Sequence, residues 1–295
     1  MRDWAEAYRI AERLVRGEAA AGAIVWNAEV KEKYRQWMEA NGRSHEYIKS
    51  CVCYLNRYVK AVSGPEDVVE AFNRCQRGRS HLVKALRSLF NFYGEVEGFP
   101  ADFLNRLRLA LPRVKGTVDY REASEDQVLE TFRRLESVKP KYRAVWAVVL
   151  DGGVRLSHAL KAVNSFAPER LVRLNGFCRY ALGEQHGTKR TWFIYMRPST
   201  VRLVEEAEEA ATKTGVMRLL SHMKERGLPL VSPKLVRKFA YNKMVELGIP
   251  ESVADWINGR TPRTVGAAHY MWIRRQADMY YPRYASYLDG LFKSL

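Results

Sequence analysis

Strand-like alternation appears in only one part of the 295-residue chain, in FCRYALGEQ and KRTWFIYMRP, which are joined by His186-Gly187-Thr188. Successive side chains of a strand face opposite sides of a sheet, and a short glycine-containing joint lets two such runs fold back as a hairpin. Elsewhere apolar residues return every three or four positions, the period of a helix with one buried face. The expected fold is therefore mainly α, with one small antiparallel sheet confined to the second half.

The helices fall into two groups. In the first, VKEKYRQWMEANG ends at a glycine suited to a helix C-terminus, and Ser44 is placed to cap a helix that carries Tyr47, Ile48, Cys51, Leu55, Tyr58, Val59 and Val62 at helical spacing. SGPEDVVEAF starts another helix after a Ser-Gly-Pro break. SHLVKALRSLFNFYGEV gathers Leu82, Leu86, Leu89, Phe90 and Tyr93 on one face, and FPADFLNRLRLALPRVKG closes the group. PRVKGTVDYREAS, with Pro, Gly and little apolar content, is the best linker, so the boundary is placed near Val118: a helical domain over 1–117 and a second domain over 118–295. A chain of this length suits two cores.

The second domain opens with SEDQVLETFRRL, capped by Ser124. YRAVWAVVLDGGVRLSHALKAV then reads as an apolar helix, a Gly-Gly turn and a helix from about Leu156. After the hairpin the pattern is helical to the end, through TVRLVEEAEEAATK, PKLVRKFAYNKMVELG and PESVADWIN. Pro282 is expected to separate the last helix from an amphipathic tail (about 283–295), which suits docking on a neighbouring subunit or folding back on its own domain. No internal repeat or low-complexity tract is evident.

The formal net charge is +16 and the pI about 9.7. Such a field favours polyanions: nucleic acid first, a membrane surface second, with a merely basic protein as the plain alternative. No run of about 18 apolar residues could span a bilayer. MRDWAEAYRIAERLV mixes acids with apolar residues as an amphipathic helix does, unlike a signal peptide, and a cytoplasmic location is expected. Cys51, Cys53, Cys75 and Cys178 form no CxxC pair and have no histidine at zinc-finger spacing, so they are expected to be reduced, buried thiols. No metal site and no cofactor are expected. There is no P-loop, GxGxxG, HExxH or GxSxG, and most acids lie on charged helical faces such as Glu205-Glu206-Glu208-Glu209, which disfavours two-metal phosphoryl transfer.

Cations stand at structurally special places. Arg155 follows Asp151-Gly152-Gly153-Val154 at a turn into a helix, Lys189 sits at the hairpin tip, and Lys234 and Arg237 are three apart at a helix start. Arg260 lies in a Gly-Arg-Thr-Pro turn ahead of His269 and Tyr270. Taken singly, each has an ordinary alternative: a helix cap, a solvated hairpin tip, a wet helical face, a packed terminus. In the first domain Arg43, Ser44 and Tyr47 at one helix start, and Arg79, Ser80, Lys84 and Arg87 at another, can flank a DNA groove and neutralise phosphates irrespective of base sequence. A solvated face is the alternative.

The order of these residues resembles the tyrosine recombinases, the integrase family of site-specific DNA recombinases. "DGGVRLSH" supplies Arg155, "HGTKRTW" Lys189, "SPKLVRKFA" Lys234 and Arg237, "INGR" Arg260 and "AAHY" Tyr270. The resemblance covers roughly residues 118 to 282. Lys234 stands where most members have His, Arg260 where they have His or Trp, and His158 where an acid often follows the first Arg. With "INGRTPRTVGAAHY", these choices resemble the integrases of archaeal viruses and plasmids.

The resemblance implies a helical, SAM-like core-binding domain and a mixed, mostly helical catalytic domain. It also implies Tyr270 as the nucleophile that forms a 3′-phosphotyrosine, Arg155, Arg237, Arg260 and Lys234 as a cationic cradle for the phosphate, and Lys189 as the acid for the 5′ oxygen. Arg190 is the rival to Lys189, but an arginine does not readily give up a proton. His158 and His269 are candidates to deprotonate Tyr270, with packing or capping as the alternative. The implied partners are double-stranded DNA attachment sites, on which the chain forms a homo-tetramer, with monomers in solution. A noncatalytic architectural protein or a tyrosine-based topoisomerase are the competing functions.

Overall fold

The computed structural model describes residues 22–113, 119–186, 189–260 and 272–293, and only the backbone of residues 184–186, 189 and 190. The amphipathic run at the amino terminus, the hairpin tip at 187–188 and the segment holding His269 and Tyr270 lie outside the described residues. The chain divides into two compact units, Met1–Val118 and Asp119–Leu295.

The first unit contains strand β1 (Ile24–Val25), helices α1 (Ala28–Ala40) and α2 (His45–Tyr58), strand β2 (Ala61–Val62), and helices α3 (Pro65–Arg74), α4 (Arg79–Glu95) and α5 (Ala101–Leu109). Local chemistry sets the boundaries. After α1, Gly42 adopts φ 65°, its N–H donates to the Glu39 carbonyl and the Arg43 N–H to that of Met38, which is the glycine-terminated helix end expected from the sequence. The Ser44 hydroxyl accepts from the Tyr47 N–H and starts α2. The core is centred on α4, where Leu82, Ala85, Leu86, Leu89, Phe90 and Phe92 are fully buried. The antiparallel pair β1–β2 was not foreseen, because two residues per strand are too few to show alternation. The Tyr93 hydroxyl fixes β1 by bonding both the N–H and the carbonyl of Val25. Cys51 and Cys75 are buried as expected, but Cys53 is exposed: two positions along a helix is more than half a turn away from Cys51.

The second unit contains α6 (Glu125–Leu135), α7 (Pro140–Gly152), α8 (Leu156–Asn164), a 3₁₀ turn at Pro168–Arg170, strands β3 (Leu171–Leu174), β4 (Phe177–His186) and β5 (Lys189–Met196), and helices α9 (Pro198–Glu205), α10 (Lys213–Glu225), α11 (Pro233–Glu246), α12 (Glu251–Ile257) and α13 (Ile273–Lys293). From Ala144 to Leu150 helix α7 is apolar on every side, as a helix enclosed by others must be. From Ala144 to Gly152 all its residues are buried, and it packs against α8, α9, α11 and β5. The antiparallel sheet has the order β3-β4-β5. Strand β3 is an addition to the expected hairpin, since LVRL is too short to reveal a period. A bulge between Ala181 and Glu184 places one extra residue on β4, and Gly183 supplies the φ of 65° there.

Two expectations for this unit need correction. The helical run TVRLVEEAEEAATK ends at Glu205, and α10 begins afresh at Lys213 with the Thr212 hydroxyl accepting from the Gly215 N–H. Four like-charged carboxylates in five residues disfavour a continuous helix, and Glu209 instead pairs with Lys139 and Lys141. Nor does Pro282 separate a tail: it lies inside α13. A proline within a helix costs about 3 kcal/mol. Here the cost is offset by burial of its neighbours, because Tyr281, Tyr284 and Leu288 are fully buried, the Tyr281 hydroxyl donates to the Asp151 carbonyl and that of Tyr284 to the Leu150 carbonyl. Through Lys293 the tail therefore folds back on its own unit.

This docking predicts that Leu288→Ala lowers unfolding free energy by about 2–5 kcal/mol through cavity formation. Tyr284→Phe, which strands a buried carbonyl, should cost about 1–3 kcal/mol. Denaturant titration checks both, and a wild-type midpoint for Leu288→Ala would rule the tail out of this core.

Candidate active site

Two helix ends form the site. Helix α7 stops at Gly153, held at φ 56°, and α12 stops at Asn258 followed by Gly259 at φ 67°. In the second turn the Gly259 N–H donates to the Trp256 carbonyl and the Arg260 N–H to that of Asp255. The turns pack so closely that glycine is required twice. A Cβ on Gly153 would lie 2.4 Å from Asn258 Oδ1, and one on Gly259 would lie 2.1 Å from Thr191 Oγ1. Asn258 is fully buried, and its Oδ1 has no hydrogen-bond partner among the described residues.

The last carbonyls of a helix carry partial negative charge and attract cations. Arg155, at the start of α8, donates through Nη1 to the Gly259 carbonyl at 2.6 Å. Arg237, on α11, donates through Nε to the Gly153 carbonyl at 2.8 Å and through Nη2 to the Asn258 carbonyl at 3.1 Å. Arg260 sits just beyond α12, with Nη1 3.0 Å from Asp255 Oδ1 and its guanidinium carbon 4.5 Å from the centre of the Tyr241 ring. Burial, then the charges of Arg155 and Arg260, push the pKa of Arg237 down to about 9; burial and Arg260 also lower that of Arg155. Three guanidinium groups thus face one paired carboxylate, Asp255, among the described residues. The surplus positive charge favours an anion.

Of the residues expected at the site, Arg155, Arg237 and Arg260 come together. Lys234 does not join them. Its Nζ lies 2.6 Å from Asp119 Oδ2, on the segment entering α6, because a long stem one turn from Arg237 can swing to a different partner. Asp119 is held well below the usual carboxylate range, first by Arg121 and then by Lys234. Lys189 heads β5 with its backbone paired to His186, and its side chain lies outside the described residues, as do Tyr270 and the side chain of the rival Arg190. His158 is buried with Nδ1 2.7 Å from Thr191 Oγ1, which ties α8 to β5 next to Gly259. Sequence reasoning missed Thr191, Asp255 and Asn258. Asn258 sits inside the quoted INGR, but nothing in spacing marks a buried amide as part of a cation cluster. Among the described residues no three His, Cys, Asp or Glu side chains gather where they could hold a metal ion, and no helix is long and apolar enough to cross a membrane.

In the first unit Arg43, Lys84 and Arg87 are exposed, while Arg79 is exposed but its Nε is tied to the Cys75 carbonyl. Tyr47 is half-buried against the core beside Cys51, and burial pushes its phenol up to about 12. Ser44 caps α2, and Ser80 is half-buried in the first turn of α4.

Residues 122–287 match the archaeal phage integrase family. The chain belongs to that family. Structures of lambda integrase share its fold. One, of residues 75–356 as a dimer bound to a COC′ core site, has a TM-score of 0.56 at 11% identity, covering 82% of this chain and 96% of that one. Another lambda integrase dimer bound to a COC′ core site has a TM-score of 0.62 at 12% identity, covering 90% of this chain and 80% of that one. No curated protein sequence matches. Membership bears out the resemblance to tyrosine recombinases, and the mainly α architecture agrees with the fold these integrases share.

The charge surplus predicts that inorganic phosphate raises the melting temperature. The stabilisation should reach about 2.7 kcal/mol at a hundredfold excess over Kd, and Arg237→Gln should remove most of it. Arg237 loses its proton more readily in the folded, anion-free protein than when unfolded, so the cation carries a folding cost below pH 9 that a bound anion relieves. The phosphate effect should shrink as pH rises past about 9. Differential scanning fluorimetry across that range checks the sign.

Proposed function

We propose that this integrase-family chain is a site-specific recombinase that cuts and rejoins double-stranded DNA at attachment sites, integrating or excising a mobile element. The observation that carries this reading is the convergence of Arg155, Arg237 and Arg260 at two helix ends, where among the described residues only Asp255, paired with Arg260, brings a carboxylate. A phosphodiester gains negative charge as a nucleophile adds, and preorganised guanidinium donors stabilise that charge without moving.

In this mechanism the Tyr270 oxygen attacks phosphorus. The proton of its phenol, ordinarily near pKa 10, passes to solvent water and does so more readily beside clustered cations. A bond forms from phosphorus to the tyrosine oxygen, and the bond to the 5′ oxygen breaks, that oxygen taking a proton from Lys189. The 3′-phosphotyrosine keeps a phosphoester bond, so the 5′ hydroxyl of a partner strand can reverse the step and rejoin DNA without an energy source. Lys234 adds a further cation once a DNA phosphate replaces Asp119. Water screens the Lys234–Asp119 pair, so this exchange is cheap.

Under this reading the unit over 119–295 is the catalytic domain, and the helical unit before it is the core-binding domain, with Arg43, Ser44, Tyr47, Arg79, Ser80, Lys84 and Arg87 contacting phosphates. Exchange needs two duplexes, so four chains assemble on DNA from monomers, in the cytoplasm at the host nucleoid. The lambda integrase dimers bound to a core site support a DNA site as the partner.

The test is a nicked suicide duplex carrying a candidate attachment site, followed by peptide mapping of the DNA-linked residue. Wild-type protein should give a covalent, protease-sensitive adduct at Tyr270. Tyr270→Phe should give none while keeping its salt-dependent DNA affinity, and Arg155→Gln should slow adduct formation about a hundredfold or more. DNA binding with no adduct from wild-type protein would make it an architectural factor, and relaxation of plasmids lacking any attachment site would make it a topoisomerase.

A further inference from the structure

The Arg260 side chain is 37% exposed, and among the described residues no helix-end carbonyl accepts from its guanidinium as one does from Arg155 and from Arg237. Left alone, such a guanidinium should swing into solvent. Arg155 and Arg237 repel it, and fixing an arginine side chain sacrifices rotamer entropy. Two contacts oppose this. The Asp255 carboxylate, 11% exposed, takes Nη1 at 3.0 Å, and the Tyr241 ring lies against the guanidinium at 4.5 Å. Tyr241 is one turn along α11 from Arg237, so one helix face supplies both a guanidinium and the ring that supports the next. Asp255 also offsets the repulsion at Arg237.

We infer that Asp255 and Tyr241 are positioning residues, an edge-and-face clamp that keeps Arg260 in the arginine cluster with its Nε and Nη2 donors available to the phosphate. Neither donor has a partner among the described residues. A buried carboxylate beside a phosphate site opposes anion binding by simple charge, so as a positioning residue it must impose order that outweighs the repulsion. The inference rests on the proposed strand-cutting function for its first readout and is independent of it for the second.

The first readout is the single-turnover rate of adduct formation on the nicked duplex. Asp255→Asn should slow it about tenfold to a hundredfold, the scale of misplacing one reacting group. Asp255→Glu should recover part of the loss, and Tyr241→Leu should slow it about tenfold. In an Arg260→Gln background, Asp255→Asn should cost less than about twofold, because a residue acting through Arg260 has nothing left to position. Equal losses in both backgrounds, or no loss in the wild-type background, would overturn the clamp.

The second readout is the affinity for inorganic phosphate, measured by thermal shift on each full-length variant, and it stands even if wild-type protein forms no adduct. Removing a negative charge should by itself tighten phosphate binding. Weaker binding by Asp255→Asn supports the clamp, and unchanged or tighter binding refutes it.

Discussion

The C-terminal end of helix α7 organises the second unit. Its final carbonyls are buried where water cannot satisfy them, and each must find a donor or cost about 1–3 kcal/mol. Tyr284 supplies one for Leu150, Tyr281 one for Asp151 and Arg237 one for Gly153. The first two donors come from α13 and the third from α11. The same helix end therefore anchors the C-terminal helix and positions a guanidinium. Next to it the buried Asp151 carboxylate accepts from both the backbone N–H and the Nε of Arg197, so that no charge there is left alone.

Helix ends also explain how like charges can be gathered. Burying guanidinium groups and bringing three together are both unfavourable, and the lowered pKa values of Arg155 and Arg237 express first the burial and then the repulsion. The carbonyls of Gly153, Asn258 and Gly259 hold two of them through fixed dipoles rather than full negative charges. Dipoles orient a cation without neutralising it. The cluster consequently keeps its attraction for an anion.

Some cations of the two units are held differently. In the first, Arg43, Lys84 and Arg87 project into solvent from a core of Leu, Phe and Tyr, where charge costs nothing to hold and long stems adapt to any backbone phosphate. In the second, Arg155 and Arg237 are partly buried and tied to backbone carbonyls, which costs folding free energy and yields fixed donors. The first arrangement suits grip and the second suits chemistry.

Period and capping made most of the fold legible in the chain itself. The Ser44 and Ser124 caps, the Gly42 helix end, the all-round apolar α7 and the hairpin strands all rest on residues within a few positions of one another. The order of Arg155, Arg237 and Arg260 was legible too, because a motif is local. What lies beyond that range was decided by tertiary packing. Strands of two to four residues carry no period and exist only because a partner strand is present. Pro282 breaks a helix by local rules, and docking of Tyr281 and Tyr284 overrides it. The clamp of Asp255 and Tyr241 on Arg260, and the diversion of Lys234 to Asp119, depend on where long side chains end, and backbone spacing alone cannot specify that.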